Sequence, residues 1–183
     1  VGFDLYVRLV GEAVTEYRSG GGESEEVAEV KVELPIDAHV PHDYVAEERL
    51  RLEAYKRLAA ATSDEEVAAV AEELTDRYGA FPEPVANLLA VARFRIRARR
   101  AGVAEVVGQG SSIRLAPLTL PESRAMRLTR LYPGTVIKPA TRTILVPRPM
   151  TARVGGQPVR DTALLEWLGE LLDVVALEPV TAS

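Results

Sequence analysis

The fold is decided around residues 72–84, which read EELTDRYGAFPEP and close one predicted helix before the next begins. Upstream of Gly79, apolar side chains recur at helical spacing on one face, which must pack inward: Val67, Val70, Ala71, Leu74 and Tyr78. Ser63 and Glu66 form a capping box at the start of this helix, and Gly79 supplies the left-handed residue that ends it. We therefore predict an acidic ridge on the opposite side, held rigidly in water and formed by Glu65, Glu72, Glu73 and Asp76.

Two interpretations of the acidic ridge are open at this point. Charged side chains are the usual outer surface of a helix in a globular protein, which makes a solvated face the simplest interpretation. A rigidly held set of carboxylates is also suited to contact a basic partner. Helical periodicity does not distinguish between the two.

The composition is that of a globular protein, because 183 residues with 47% hydrophobic content can bury a core. A formal net charge of -5 opposes the clustered phosphate contacts on which a nucleic-acid module depends. The absence of cysteine excludes disulfides, thiol nucleophiles and Cys-ligated zinc. No apolar run approaches the ~20 residues that cross a bilayer, and we expect a cytoplasmic protein. Val1 falls within a helical pattern, so we expect this chain to be a piece of a longer polypeptide.

The first 29 residues divide into a predicted helix and a predicted linker. Residues 2–18 carry a broad apolar side that includes Phe3, Val7 and Val10, and such a helix needs a surface to pack on. The segment Ser19–Glu26 contains only Gly, Ser and Glu, the composition of a mobile linker. We therefore predict a helical tail at residues 1–18, a flexible linker at 19–29 and one domain at 30–183.

The predicted domain begins with a short strand and three helices and continues with hairpins. Alternation predicts a strand around Val30–Leu34, and helical patterns cover residues 44–61, the ridge helix, and residues 84–101. Strand patterns at 103–109 and 113–116 flank a Gly-rich turn, and those at 135–138 and 143–146 flank Pro139. Residues 121–131 predict a short helix, and residues 162–176 a clearly amphipathic one. The predicted fold class is α+β: a three-helix N-terminal half, then two β-hairpins that form a small antiparallel sheet covered by an amphipathic C-terminal helix.

Catalytic motifs are missing from the sequence. No P-loop occurs to cradle nucleotide phosphates, and two neighbouring histidines without cysteine give no Ser-His-Asp or Cys-His arrangement. Carboxylates are plentiful but are predicted on exposed faces, where nothing raises a pKa for acid-base chemistry. We predict no enzymatic activity for this chain and no cofactor.

The segment from Asp37 to Asp43 brings His39 and His42 together with two carboxylates, so zinc has to be considered. A closed zinc site needs a fixed tetrahedron with supporting hydrogen bonds, which an extended, Pro-containing loop offers poorly. We therefore interpret the segment as a surface connection and predict no metal.

Five arginines crowd into Arg93–Arg100 near the end of the third helix. On a helix they form two stripes separated by two apolar gaps, which predicts burial on two sides rather than one continuous basic face. Ion pairs with neighbouring acidic side chains are one interpretation. The alternative is a DNA-binding accessory domain that uses this helix.

Three ordered motifs within roughly the first 101 residues resemble one known family: residues 1–6 (VGFDLY), 48–58 (ERLRLEAYKRL) and 73–79 (ELTDRYG), the last followed by Pro82-Glu83-Pro84-Val85. They resemble the C-terminal region, the TRCF or D7 domain, of the bacterial transcription-repair coupling factor family, Mfd. This resemblance implies that the parent is an ATP-dependent DNA translocase that displaces stalled RNA polymerase and recruits nucleotide-excision repair through UvrA. Residues 1–18 would then be the tail of its motor region.

The same resemblance implies a role for the acidic ridge. In that family the terminal domain is non-catalytic and docks on the UvrB-homology domain of the same polypeptide, which masks UvrA binding and represses the motor. The docking contact includes a Glu-x-x-Asp-Arg motif, whose positions here are Glu73, Asp76 and Arg77. Glu65 and Glu72 are secondary candidates. RNA polymerase and DNA would be contacted through other domains of the parent.

Overall fold

The computed structural model describes residues 30–176, which form two compact units. The first unit comprises residues 36–96, and the second comprises residues 30–35 together with 97–176. The helical tail predicted for residues 1–18 and the linker predicted for 19–29 lie outside the described residues.

Three helices build the first unit: α1 (Glu48–Ala60), α2 (Asp64–Tyr78) and α3 (Glu83–Arg100), with the division between the units falling inside α3 after Ile96. Their order and number confirm the predicted three-helix half. The helix predicted for residues 44–61 begins four residues later than expected, because residues 42–47 form a turn and an extended N-terminal cap. Helices α1 and α2 pack against each other and bury Ala54, Leu58, Val67 and Leu74.

Helix α2 begins and ends where its sequence signals predict. The Ser63 hydroxyl accepts a hydrogen bond from the Glu66 amide (3.3 Å), while the Glu66 carboxylate accepts from the Thr62 amide (2.7 Å). This is a capping box in which the glutamate reaches one residue further back than usual. At the other end, Gly79 has φ +82°, and its amide donates to the Thr75 carbonyl (2.9 Å). The helix is therefore tied down at both ends.

The second unit is built on a five-stranded sheet with the order β1-β2-β3-β5-β4. Its strands are β1 (Lys31–Glu33), β2 (Glu105–Gln109), β3 (Ser112–Ala116), β4 (Val136–Lys138) and β5 (Thr143–Pro147). Both predicted hairpins are present, β2–β3 around Gly110 and β4–β5 around the short 3₁₀ helix Pro139–Thr141. The two hairpins join through antiparallel pairing of β3 with β5.

The sheet is mixed, whereas we predicted an antiparallel sheet made from the two hairpins alone. Strand β1 was predicted as a strand but not as part of this sheet. It pairs in parallel with β2, with Val32 opposite Val106. Parallel neighbours need a long crossover connection, and here the whole first unit lies between β1 and β2 in the sequence.

Two helices complete the second unit: α4 (Glu122–Leu131) and α5 (Asp161–Ala176). Helix α5 packs against the sheet with a fully apolar face, as predicted: Leu164, Leu165, Leu168, Leu171, Leu172 and Val175 are all buried. The fold class is thus α+β, as the sequence predicted.

Candidate functional site

Three members of the predicted acidic ridge lie on the exposed side of α2. Glu65, Glu72 and Asp76 are all exposed. Their spacing places them along one line of the helix surface, opposite the buried Val67, Val70 and Leu74. Asp76 makes no ion pair with any residue of the described range 30–176. Its charge therefore faces outward uncompensated.

Glu73 is partly exposed as well, but it lies at the α1 side of the ridge and is paired there. Its side chain is 40% exposed and lies at the edge between α1 and α2. One carboxylate oxygen pairs with Arg57 of α1, and the other lies 3.3 Å from an Arg77 guanidinium nitrogen one turn further along α2. Glu73 is therefore the centre of an Arg57–Glu73–Arg77 cluster.

The two arginines fix the ionisation state of Glu73. The hydrogen bond from Arg57 lowers the pKa of this carboxyl below its ordinary value of 4.5, and the charges of Arg57 and Arg77 act in the same direction. Partial burial opposes them with a smaller effect than the Arg57 bond. Glu73 stays a carboxylate throughout the physiological pH range, and it is internally neutralised.

Arg77 is held on two sides. Besides its ion pair with Glu73, its guanidinium lies 5.4 Å from the centre of the Tyr78 ring, within the range of a cation–π contact. The Tyr78 ring meets Tyr44 edge-on, with ring centres 5.7 Å apart. Half of the Arg77 side chain remains exposed. It is an oriented cation beside the free carboxylate of Asp76.

The backbone below these side chains is also fixed. The Tyr44 hydroxyl lies within hydrogen-bond distance of two carbonyl oxygens at the end of α2, those of Leu74 (3.1 Å) and Gly79 (2.8 Å), and can donate its one proton to either. The hollow between α1 and α2 beside Glu73 has a volume of about 20 Å³, room for little more than a water molecule. A charged surface fixed in this way is suited to contact a macromolecule and too shallow to enclose a small molecule.

Arg57 was missing from the predicted site, because its importance comes from a pairing between two helices. It lies 16 residues before Glu73. In the sequence it is one of several basic residues in α1, and nothing local separates it from Arg49 or Lys56.

Comparison with known proteins now adds to this geometry. The family described as "TRCF domain" matches residues 34–126, just over half of the chain. The chain belongs to the TRCF domain family. Among curated relatives, the transcription-repair-coupling factors of Mycobacterium bovis and Mycobacterium tuberculosis are 49% identical over 189 aligned residues, which cover 98% of this chain. A Staphylococcus aureus transcription-repair-coupling factor is 31% identical over 175 residues, 93% of the chain.

The chain spans only 15% of the length of those mycobacterial relatives and 14% of the staphylococcal one. A solved structure described as the C-terminal domain of a transcription-repair coupling factor has the same fold, with a TM-score of 0.61 at 20% identity. The superposition covers 81% of this chain and 94% of that one.

The histidine segment is only partly at the surface: Asp37, His42 and Asp43 are exposed, whereas Ala38 and Val40 are buried. The Nδ1 atom of His39 lies 2.8 Å from an Asp37 carboxylate oxygen, and both side chains are substantially exposed. Among residues 30–176, no group of three or more potential ligand side chains is placed to hold a metal ion. None of the helices in that range is both long enough and apolar enough to cross a membrane.

The C-terminal part of α3 contains two buried apolar gaps and an arginine that makes an ion pair. Val91, Phe94 and Ala98 in one apolar gap and Leu89, Ala92 and Ile96 in the other are all buried, which confirms the predicted burial on two sides. Arg97 pairs with Asp173 of α5 and covers the buried Gly169. Arg97 thus follows the ion-pair interpretation, whereas Arg93 and Arg100 are exposed.

Proposed function

We propose that this chain is the non-catalytic C-terminal regulatory domain of a bacterial transcription-repair coupling factor. In this proposal the end of α2 docks on the UvrB-homology domain of the same polypeptide, where it masks UvrA binding and represses the motor. The single observation that carries the proposal is the Arg57–Glu73–Arg77 cluster, because it orients Arg77 beside the uncompensated Asp76. The three positions of the family's docking motif thus share one rigid, exposed site.

The structure supports different roles for the three motif residues. Asp76 and Arg77 are exposed and are the groups we propose to contact the partner. Glu73 is already paired with two arginines, so we propose that it positions Arg77 together with Arg57. Glu65 and Glu72 extend the same exposed side and would add weaker, longer-range attraction.

Such a contact would be modest and reversible. An exposed ion pair contributes ~0.2–1 kcal/mol, and more if the partner excludes water from it. Contacts of this strength can hold two domains of one chain together. A linker such as that proposed at residues 19–29 keeps the effective concentration of one domain near the other high. The proposed clamp can therefore open when the parent protein rearranges around DNA or RNA polymerase. We place the parent, an ATP-dependent translocase, in the bacterial cytoplasm.

A direct binding measurement tests the docking proposal. The 183-residue chain is titrated into the separately expressed UvrB-homology domain in a calorimeter, alongside Asp76→Lys and Arg77→Glu. We expect each variant to weaken binding by roughly tenfold, as for loss of a partly desolvated charge pair. Glu166→Lys is the matched control, because Glu166 is an exposed carboxylate of α5 in the other unit. Equal affinities for all four proteins would refute the docking site.

The regulatory part of the proposal needs the full-length factor. Asp76→Lys should raise basal ATPase activity and UvrA binding together, since one contact is proposed to suppress both. If the variant disrupts docking but leaves both activities at their original level, the site is a contact without a regulatory role.

A further inference from the structure

One segment of the second unit is strongly basic although the whole chain is acidic. Residues 123–160 contain Lys138 and seven arginines, and no Asp or Glu. The formal net charge of the complete chain is -5. Positive charge is therefore concentrated in the part of the chain that runs from α4 to the start of α5.

The same segment carries most of the exposed large aliphatic side chains. Within residues 30–176, six large hydrophobic residues are exposed, and only Leu52 lies outside the segment. The other five are Met126, Leu131, Val136, Met150 and Val154. Scattered exposed aliphatic residues are common on protein surfaces, but their concentration in one segment is informative.

Positive charge and aliphatic surface coincide on one face of α4. The inward face is fixed by buried Leu128 and by Arg124, whose guanidinium donates to the Val175 carbonyl (3.1 Å). Just beyond the helix, the Tyr132 ring meets Trp167 of α5 edge-on, with ring centres 5.3 Å apart. These contacts determine which side of α4 points away from α5.

Four residues of the remaining side, Met126, Arg127, Arg130 and Leu131, are what we name the basic α4 face. The other exposed residues of this helix are Glu122, Ser123 and Thr129. Met126 and Arg130 are four residues apart, as are Arg127 and Leu131, so the four side chains are neighbours on the helix surface. All four are exposed, Met126 to 66% and Leu131 to 48%. Neither arginine makes an ion pair with any residue between 30 and 176.

We infer that the basic α4 face is a docking surface for an acidic protein segment that also carries aliphatic side chains. Arg and Met are both enriched in protein interfaces, and Met adapts its shape to different apolar partners. Nucleic acid fits this face less well, because bases stack on aromatic rings and phosphates gain nothing from Met126 and Leu131. This surface goes beyond the proposed α2 contact, since it lies in the other unit and has the opposite charge.

Three probes separate the possible occupants. The first is a synthetic amphipathic peptide with Glu on one face and Leu on the other, the second is polyglutamate of the same net charge, and the third is duplex DNA. Each is titrated with the 183-residue chain at physiological salt and followed by fluorescence anisotropy, with backbone NMR shifts to locate the site. We expect the Glu/Leu peptide to bind roughly tenfold more tightly than polyglutamate. The shifts should cluster on α4.

Two pairs of substitutions test the two components of the face. Arg127→Glu with Arg130→Glu should abolish binding of both peptides, because it reverses the charge of the surface. Met126→Ser with Leu131→Ser should reduce the affinity for the Glu/Leu peptide to that for polyglutamate and leave polyglutamate binding unchanged. Arg49→Glu with Arg93→Glu is the matched control, because both arginines are exposed in the first unit and the change in net charge is the same. Circular dichroism verifies that every variant is folded.

The inference is overturned by equal affinity for the two peptides, by tighter binding of DNA than of the Glu/Leu peptide, or by shifts outside α4. Absence of peptide binding, or self-association of the chain that the Arg127→Glu, Arg130→Glu pair abolishes, also overturns it. These outcomes are independent of the docking proposal, which is tested with different variants and a different partner.

Discussion

Replacing Glu73 by Gln removes the charge that Arg57 and Arg77 share while nearly preserving the size of the side chain. The three side chains are between 40% and 50% exposed, so solvent screens their interactions. An exposed pair contributes ~0.2–1 kcal/mol, and a pair four residues apart on a helix about 0.3–0.5 kcal/mol. We therefore expect Glu73→Gln to lower the free energy of unfolding by about 0.5–1.5 kcal/mol at neutral pH.

The effect should depend on pH in a defined direction. The folded-state pKa of Glu73 is lowered, so its stabilising contribution is present above the unfolded value near 4.5 and is lost as pH falls through the lower folded value. The difference between the original protein and Glu73→Gln should accordingly shrink towards zero in acid.

Urea unfolding followed by far-ultraviolet circular dichroism is the appropriate assay. Guanidinium chloride would screen the ion pairs under study, and fluorescence of Trp167 reports on the other unit. The cycle of Arg57→Gln, Glu73→Gln and the double variant isolates the pair. A coupling energy of zero at neutral pH, or a difference that persists unchanged in acid, would refute the assigned role of the cluster.

Three further predictions concern the surroundings of the site. Burial raises the pKa of Tyr55 to about 12 from an ordinary 10.0, so the folded state favours the neutral phenol. The free energy of unfolding should therefore fall above pH 10. Tyr55→Phe should reduce that fall, as measured by urea unfolding at alkaline pH. Gly79→Ala should cost ~1–3 kcal/mol of unfolding free energy, because φ +82° with ψ -168° is a conformation that side chains resist. Leu74→Ala should cost ~2–5 kcal/mol, since Leu74 is 5% exposed. Leu52 is 36% exposed, so Leu52→Ala should lower the free energy of unfolding much less. Equal losses for Leu74→Ala and Leu52→Ala would contradict the packing assigned to α2.

The sequence predicts what depends on neighbouring residues. The start of α2 follows from Ser63 and Glu66, and its end follows from Gly79, because capping acts over a few residues. The buried face of α5 follows from its 3.6-residue apolar period. The hairpin at Gly110 likewise needs only the two adjacent strands and their turn.

What the sequence did not predict depends on residues far apart in the chain. The parallel pairing of Val32 with Val106 leaves no local signal, since each strand alone shows only alternation. The pair of Glu73 with Arg57 was missed for the same reason. Nothing in the sequence around Glu73 shows that Arg57 of α1 lies next to it.

The placement of β1 also has a practical consequence for choosing the boundaries of a fragment of this polypeptide. The family match covers residues 34–126, but the sheet needs Lys31–Glu33 at one edge and Val136–Pro147 at the other. A fragment trimmed to the matched residues would lose three of its five strands and the whole of α5. What is left would expose both edges of a single hairpin, a form that is marginally stable and prone to pair with other chains. The stretch that the family match covers and the stretch that completes the sheet are thus different lengths of chain.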